Sequence, residues 1–158
     1  MFSTDEGTSA NPYFNTSEYL AAKLNQLQHN ILWGLKGNFL DVPTDCPQRD
    51  ERLGWTGDAE IFSSTANFLV NTHAFYRKWL ADLTAEQADN GAIPHVVPDV
   101  LTPVATPDMI EHMGMDGASG WADAATIVPW NLYLATGDVA ILRRQYDSMK
   151  NWVAFMDA

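Results

Sequence analysis

The stretch Asp45–Asp58 reads DCPQRDERLGWTGD, and it guides the interpretation of the rest of the chain. It combines four carboxylates, two arginines and one tryptophan. Turn-forming residues stand at both ends, Pro47 on one side and Gly54 and Gly57 on the other, so the stretch is predicted to be a loop. A solvated charge run needs neither a tryptophan nor glycines. A sugar-binding loop needs carboxylates, a cation beside them and an aromatic surface, so this composition points toward carbohydrate chemistry.

The bulk composition describes a globular, acidic chain. It has 158 residues, of which 46% are hydrophobic, and a formal net charge of -11. This length predicts one domain, and this apolar fraction is enough to bury a core. The negative balance argues against a nucleic-acid or anionic-membrane partner and is compatible with a neutral ligand such as a sugar.

Cys46 is the one cysteine of the chain, which rules out an intrachain disulfide. Neighbouring carboxylates would raise the pKa of its thiol, so we interpret it as a packing residue and not as a nucleophile. Residues 1–14 are polar and predict a leader without the basic and apolar regions of a signal peptide. No apolar run approaches the length of a membrane span, so we expect a soluble chain, and the compartment stays open.

Apolar residues recur at helical spacing in the remainder of the chain, residues 15–158, and predict an all-α fold. Between the predicted helices lie two long loops, about 38–57 and 91–119, and loops of this length are usually functional. Helical hairpins with long functional loops at one end are the plan of an α/α toroid. The predicted helices begin and end near residues 15–37, 58–70, 73–88, 121–136 and 138–156.

The motif loop carries the carboxylates that glycoside hydrolysis requires, where one group protonates the leaving oxygen and another activates water or attacks the sugar. Glu51 is the candidate acid, because neighbouring Asp45, Asp50 and Asp58 would raise its pKa by their negative charge. Asp45 and Asp58, with the arginines of the loop as partners, could instead stay ionised and bind sugar hydroxyls. A solvated acidic loop with incidental ion pairs explains the composition equally well.

Two tryptophans, Trp55 and Trp121, follow a glycine and precede an aspartate at the end of a long loop, so we interpret them as surfaces for a sugar ring. The four histidines lack metal-ligand spacing, and we expect no metal and no cofactor. His95 and His112 lie in the second long loop and could touch a ligand, but we interpret them as surface residues without a functional role. The acidic residues of that loop, Asp99, Glu111 and Asp116, do not have a spacing that specifies a Ca²⁺ site. The other tryptophans are assigned to helix packing: Trp33, Trp79, Trp130 and Trp152.

The Asp45–Asp58 motif closely resembles the signature of bacterial α-L-rhamnosidases, the family-78 glycoside hydrolases. The motif is long and specific. Gly120–Ala124, which reads GWADA, and Val128–Trp130, which reads VPW, also look like parts of that family's (α/α)6 catalytic domain. The resemblance covers roughly residues 15–158.

The resemblance implies an inverting hydrolase that removes terminal α-L-rhamnose from glycosides and polysaccharides, which would be its partners. Glu51 matches the general acid of the family. Asp45, Arg49 and Asp58 match residues that hold rhamnose hydroxyls. Trp55 matches one aromatic wall of the sugar site, and Trp121 matches a second.

The chain lacks two parts of the family pattern, the general base and about half of the hairpins. The family's general base is a glutamate beyond residue 158, and this chain supplies about half of the six hairpins. Residues 15–158 are therefore expected to be a partial catalytic domain, inactive alone, with exposed apolar helix faces that favour self-association. Two alternatives stay open: a non-catalytic helical sugar-binding or interaction module, and another α/α-toroid glycosidase with a different sugar preference.

Overall fold

The computed structural model describes residues 17–109 and 117–158. Two isolated bridges, Phe39 with Pro43 and Trp55 with Val96, are the extended pairings within these ranges. The predicted all-α fold is confirmed. The helices are α1 (Ser17–Asn38), α2 (Thr56–Leu69), α3 (His73–Glu86), α4 (Ala124–Thr136) and α5 (Val139–Met156), with a short 3₁₀ turn at Thr102–Val104.

Some predictions fall outside the described residues. They are the leader at 1–14 and the loop residues Glu111, His112 and Asp116. Among the helices that are described, none combines the length and the apolarity that crossing a bilayer requires. The chain forms two compact units, which meet in sequence between Gly37 and Asn38.

The first unit contains most of α1. Its apolar stripe is largely exposed, because Leu20 and Leu27 keep more than half of their surface, whereas Leu35 is buried. Trp33, predicted to be a packing residue, is also exposed. Its indole nitrogen donates a hydrogen bond of 2.9 Å to His29 Nε2, so this tryptophan interacts along its own helix.

The second unit contains the four helices α2 to α5, of which the consecutive helices α4 and α5 pack against each other. Helix α4 packs against α2, α5 and α3 and is the central element. Gly137 ends α4 with a φ of 70°, a left-handed conformation that glycine adopts without strain. Asp138 then caps α5 by accepting from Ala140 N at 2.9 Å, and its other oxygen accepts from His73 Nε2 at 2.9 Å. This second contact ties the start of α5 to the start of α3.

The core of the second unit lies between these helices. Its large side chains are fully buried, and each contributes on the order of 2 kcal/mol through removal of apolar surface from water. The largest buried members are Tyr76, Trp79, Leu80, Leu83, Leu132 and Trp152.

The segment 91–98 of the second long loop is part of this core. Ile93, Val96 and Val97 are buried, and the Trp79 indole donates a hydrogen bond of 3.2 Å to the Val97 carbonyl. The Val97–Pro98 peptide bond is cis. The hydrogen bond from buried Trp79 therefore anchors segment 91–98, which the sequence analysis assigned to a loop.

Apolar side chains also remain on the outer faces of α2 and α4. Phe68 keeps 88% of its surface, and Trp130, predicted to be a packing residue, is half-exposed. Trp130 lies midway between Val128 and Leu132, which point into the core, so it faces the other side of α4. Self-association through such faces stays a prediction.

Candidate active site

The motif loop is joined to segment 91–98 by backbone hydrogen bonds on both sides of Trp55. Thr56 N donates to His95 O, and Val97 N donates to Gly54 O, each at 2.9 Å. The Thr56 hydroxyl also donates to His95 O at 2.9 Å. These bonds position the start of α2, and with it the candidate sugar-binding residues.

Gly54→Ala is expected to lower the free energy of unfolding by about 2–4 kcal/mol. The added methyl group would collide with the backbone carbonyl of Val97, which cannot move without breaking the Trp79 hydrogen bond. Urea denaturation measures the change. Gly37→Ala is the matched control, because its methyl group meets no atom within 4 Å. Equal stability of the two variants would contradict the close contact at Gly54.

The acidic residues of the motif loop form a cluster. One donor atom from each of Asp45, Cys46 and Glu51 lies within 4.8 Å of the others. Arg49 forms an ion pair with Glu51, with Nη2 2.8 Å from Oε2. Asp45 Oδ1 accepts from Leu53 N at 3.2 Å, which fixes the Asp45 carboxylate against the far side of the loop.

A tight turn brings these groups together. Arg52 has a φ of 43°, and its Nε donates to the Arg49 carbonyl at 2.8 Å. Such left-handed conformations in a side-chain-bearing residue are uncommon and are concentrated in turns and functional loops. Asp50 points into solvent and approaches Arg52 at 3.8 Å. The cation beside the Glu51 carboxylate is thus Arg49.

The charges of this cluster act on one another. The pKa of Asp58 is raised, first by partial burial and then by the negative charge of Asp45, with a smaller effect of Glu51. The hydrogen bond with Glu51 raises the pKa of Arg49. Asp58 lies in the first turn of α2, where the helix dipole favours a carboxylate. Asp45, Glu51 and Asp58 are therefore electrostatically coupled.

Asp45, Cys46 and Glu51 also present a set of donor atoms that a cation could approach. Partial burial and a hydrogen bond with Glu51 raise the pKa of the Cys46 thiol. A metal binds the thiolate and not the thiol, so coordination at these atoms would require Cys46 to lose its proton.

The two candidate tryptophans both lie near the start of α2. Trp55 is the half-buried residue that precedes α2, and its indole nitrogen has no hydrogen-bond partner. Trp121 lies in the turn before α4 and keeps 41% of its surface exposed. A methyl group at Gly57 would lie 3.1 Å from Trp121 Cδ1, so this indole packs on the first turn of α2. The His95 ring centroid is 6.0 Å from that of Trp121.

Two further carboxyl groups near the start of α4, those of Asp123 and Glu60, were not proposed as site residues from the sequence. Asp123 accepts from Gly120 N at 2.8 Å and from Trp152 Nε1 at 3.0 Å. Glu60 is buried, and burial together with the charge of Asp123 raises its pKa to about 7. Helical spacing could have indicated that Glu60 is buried, because it lies on the same face of α2 as the buried Gly57.

The chain matches the family model described as the bacterial alpha-L-rhamnosidase 6 hairpin glycosidase domain over residues 10–158. The chain belongs to this family. It is 54% identical over 136 residues to an alpha-L-rhamnosidase of Formosa agariphila, a match that covers 86% of this chain and 14% of that protein. It is 42% identical over 150 residues to an alpha-L-rhamnosidase of Streptomyces avermitilis, which covers 95% of this chain and 13% of that protein.

Solved rhamnosidase structures agree with this assignment. The crystal structure of the Streptomyces avermitilis alpha-L-rhamnosidase complexed with L-rhamnose matches with a TM-score of 0.75 at 42% identity, covering 85% of this chain and 12% of that one. The native enzyme from Aspergillus terreus matches with a TM-score of 0.70 at 46% identity, covering 82% and 14%. This chain thus spans about one seventh of the length of such relatives, within the six-hairpin glycosidase domain.

Proposed function

We propose that this chain forms the acid-bearing side of an active site that removes terminal α-L-rhamnose with inversion of configuration. The observation that carries the proposal is the cluster of Asp45, Arg49, Glu51 and Asp58 at the start of α2. It occurs within a family domain named for this activity. The similar Streptomyces avermitilis enzyme was solved in complex with L-rhamnose, which supports the same sugar here.

Each residue has a proposed role that follows from its contacts. Glu51 is assigned as the general acid because it matches that residue of the family, and it is partly exposed beside Arg49. Asp45 is held by Leu53 N and keeps a second oxygen for a hydroxyl group. Asp58 faces the same cluster and serves as a second acceptor.

The aromatic groups supply the apolar part of the proposed site. The Trp55 ring is half-buried at the start of α2 and is proposed as one aromatic wall of the site, while its indole nitrogen is buried without a partner. Trp121 presents an exposed ring to the same end of α2 and would pack on the apolar face of a sugar.

An inverting mechanism needs a second carboxylate about 6.5–9.5 Å from the acid, with room for a water molecule. Asp45 does not fit this role, since its donor oxygen lies within 4.8 Å of that of Glu51 and its carboxylate is bound to Leu53 N. The resemblance to the family implies a general base from another part of the six-hairpin domain, and we carry this over as a proposal.

The test compares aryl α-L-rhamnoside with aryl α-D-glucoside as substrates of a protein that contains this chain within a complete six-hairpin domain. We expect hydrolysis of the rhamnoside only, with β-L-rhamnose as the first product in proton NMR spectra. The isolated chain is expected to show no turnover. Initial release of the α-anomer would contradict inversion, and preference for glucose would contradict the sugar assignment. Rhamnose binding without turnover in either form would favour a non-catalytic sugar-binding module.

A further inference from the structure

The turn that carries Trp121, residues 118–123, rests on α2 without being part of a helix. We call it the Trp121 turn. Its backbone is closed by hydrogen bonds from Trp121 N and Ala122 N to the Ala118 carbonyl, at 3.2 and 2.9 Å. A methyl group at Gly57 would lie 2.9 Å from the Gly120 oxygen, so α2 and the turn are in direct contact.

Asp123 connects this turn to the core. One of its carboxylate oxygens accepts from Gly120 N within the turn, and the other accepts from the indole of Trp152 on α5. Trp152 is fully buried and does not move readily. Because both oxygens are engaged, the position of Asp123 fixes Gly120 and, through it, Trp121.

Glu60 lies on α2, one turn after Gly57 and on the same face of the helix. Its side chain is only 4% exposed, and its Oε2 atom is buried without a hydrogen-bond partner. A buried carboxylate oxygen with no donor is unfavourable, and such a group takes up a proton instead. Burial, and then the negative charge of Asp123, raise the pKa of Glu60 to about 7. Asp123 is the charged group that acts on Glu60 among the residues described.

We propose that Glu60 and Asp123 are positioning residues that hold the Trp121 turn against α2, and that Glu60 does so as a neutral carboxylic acid. When Glu60 loses its proton, its negative charge adds to that of Asp123. Trp152 is fully buried, whereas Trp121 is partly exposed, so we expect the turn to be the side that moves. The turn's part in sugar binding rests on the function proposed above, but its coupling to Glu60 does not.

The test follows the turn directly by ¹⁹F NMR of the chain labelled with 5-fluorotryptophan. The six tryptophans give one resonance each, and Trp121→Phe identifies the resonance of interest. Between about pH 5.5 and about pH 8.5 we expect the Trp121 resonance to shift with a midpoint near 7. Glu60→Gln, which keeps the shape of the neutral acid, should abolish this shift. Asp123→Asn should move the midpoint to lower pH, because it removes the neighbouring charge.

Glu18→Gln is the control, since it removes one exposed carboxylate from α1 and should leave the titration unchanged. A Trp121 resonance that does not titrate, or that still titrates in Glu60→Gln, would overturn the proposal. So would a simultaneous collapse of all six resonances, because Glu60 would then support the whole fold and not this turn. Addition of L-rhamnose at about pH 6 tests the proposed function separately, because a missing response there leaves the pH result intact.

Discussion

Glu51→Gln is expected to lower kcat/KM for a phenyl α-L-rhamnoside by about 10²–10⁴-fold in a six-hairpin rhamnosidase that contains this chain. The variant keeps the size of the side chain but cannot donate a proton to the leaving oxygen. The loss should fall mainly on kcat, since Asp45 and Asp58 still bind the sugar. Steady-state hydrolysis of the phenyl glycoside measures it.

A second substrate separates loss of the acid from general damage to the site. A 2,4-dinitrophenyl leaving group departs without protonation, so its hydrolysis should be much less affected by Glu51→Gln. Asp50→Asn is the matched control, because Asp50 is the adjacent acid and points into solvent. It should change neither substrate's rate by more than about twofold. An equal loss on both substrates would contradict the assignment of Glu51 as general acid.

Trp79→Ala is expected to lower the free energy of unfolding by about 3–5 kcal/mol. The change leaves a large cavity among fully buried side chains and removes the hydrogen bond to the Val97 carbonyl. Chemical denaturation followed by circular dichroism measures the effect. Trp130→Ala deletes the same side chain at a half-exposed position and should cost less than half as much.

A less drastic change isolates the anchoring of the loop. Trp79→Phe keeps most of the buried volume and removes the indole donor, so it should cost about 1–2 kcal/mol. Because Val97 also donates to Gly54 O, we expect hydrogen exchange to increase first at Val97 N and then at Thr56 N. Unchanged exchange at these amides would show that the indole hydrogen bond does not hold the segment in place.

The helices were predictable because each displays a local signal. Helical spacing of apolar residues and breakers such as Gly137 place the ends of α1 to α5 within about three residues of those observed. The fourth helix is the least accurate. Trp121 was predicted to open it, but Asp123 binds back to Gly120 N and holds a turn there, so α4 begins at Ala124.

The faces of the helices were less predictable. Trp33 and Trp130 have the same apolar character as Trp79 and Trp152, yet only the latter two are buried. Burial depends on which neighbours a helix meets, and periodicity within one helix does not contain that information.

The candidate site shows a similar division. The motif loop brings Asp45, Arg49 and Glu51 together through contacts between near neighbours in sequence, which composition could indicate. The interaction between Glu60 and Asp123 depends on the packing of α2 against the start of α4, and the two residues are more than 60 positions apart in sequence. Their pairing results from packing, so neither Glu60 nor Asp123 stands out in the sequence.

The bridge between Trp55 and Val96 has a consequence for how this domain can be engineered. It joins segments 45–58 and 93–97 inside the unit Asn38–Ala158, which also contains Trp121. All proposed sugar contacts on the acid side are therefore encoded by one uninterrupted piece of the gene. Exchange of that piece between homologous enzymes would transfer all of these proposed sugar contacts together. Chimaeras with a crossover inside it would separate residues that contact one another.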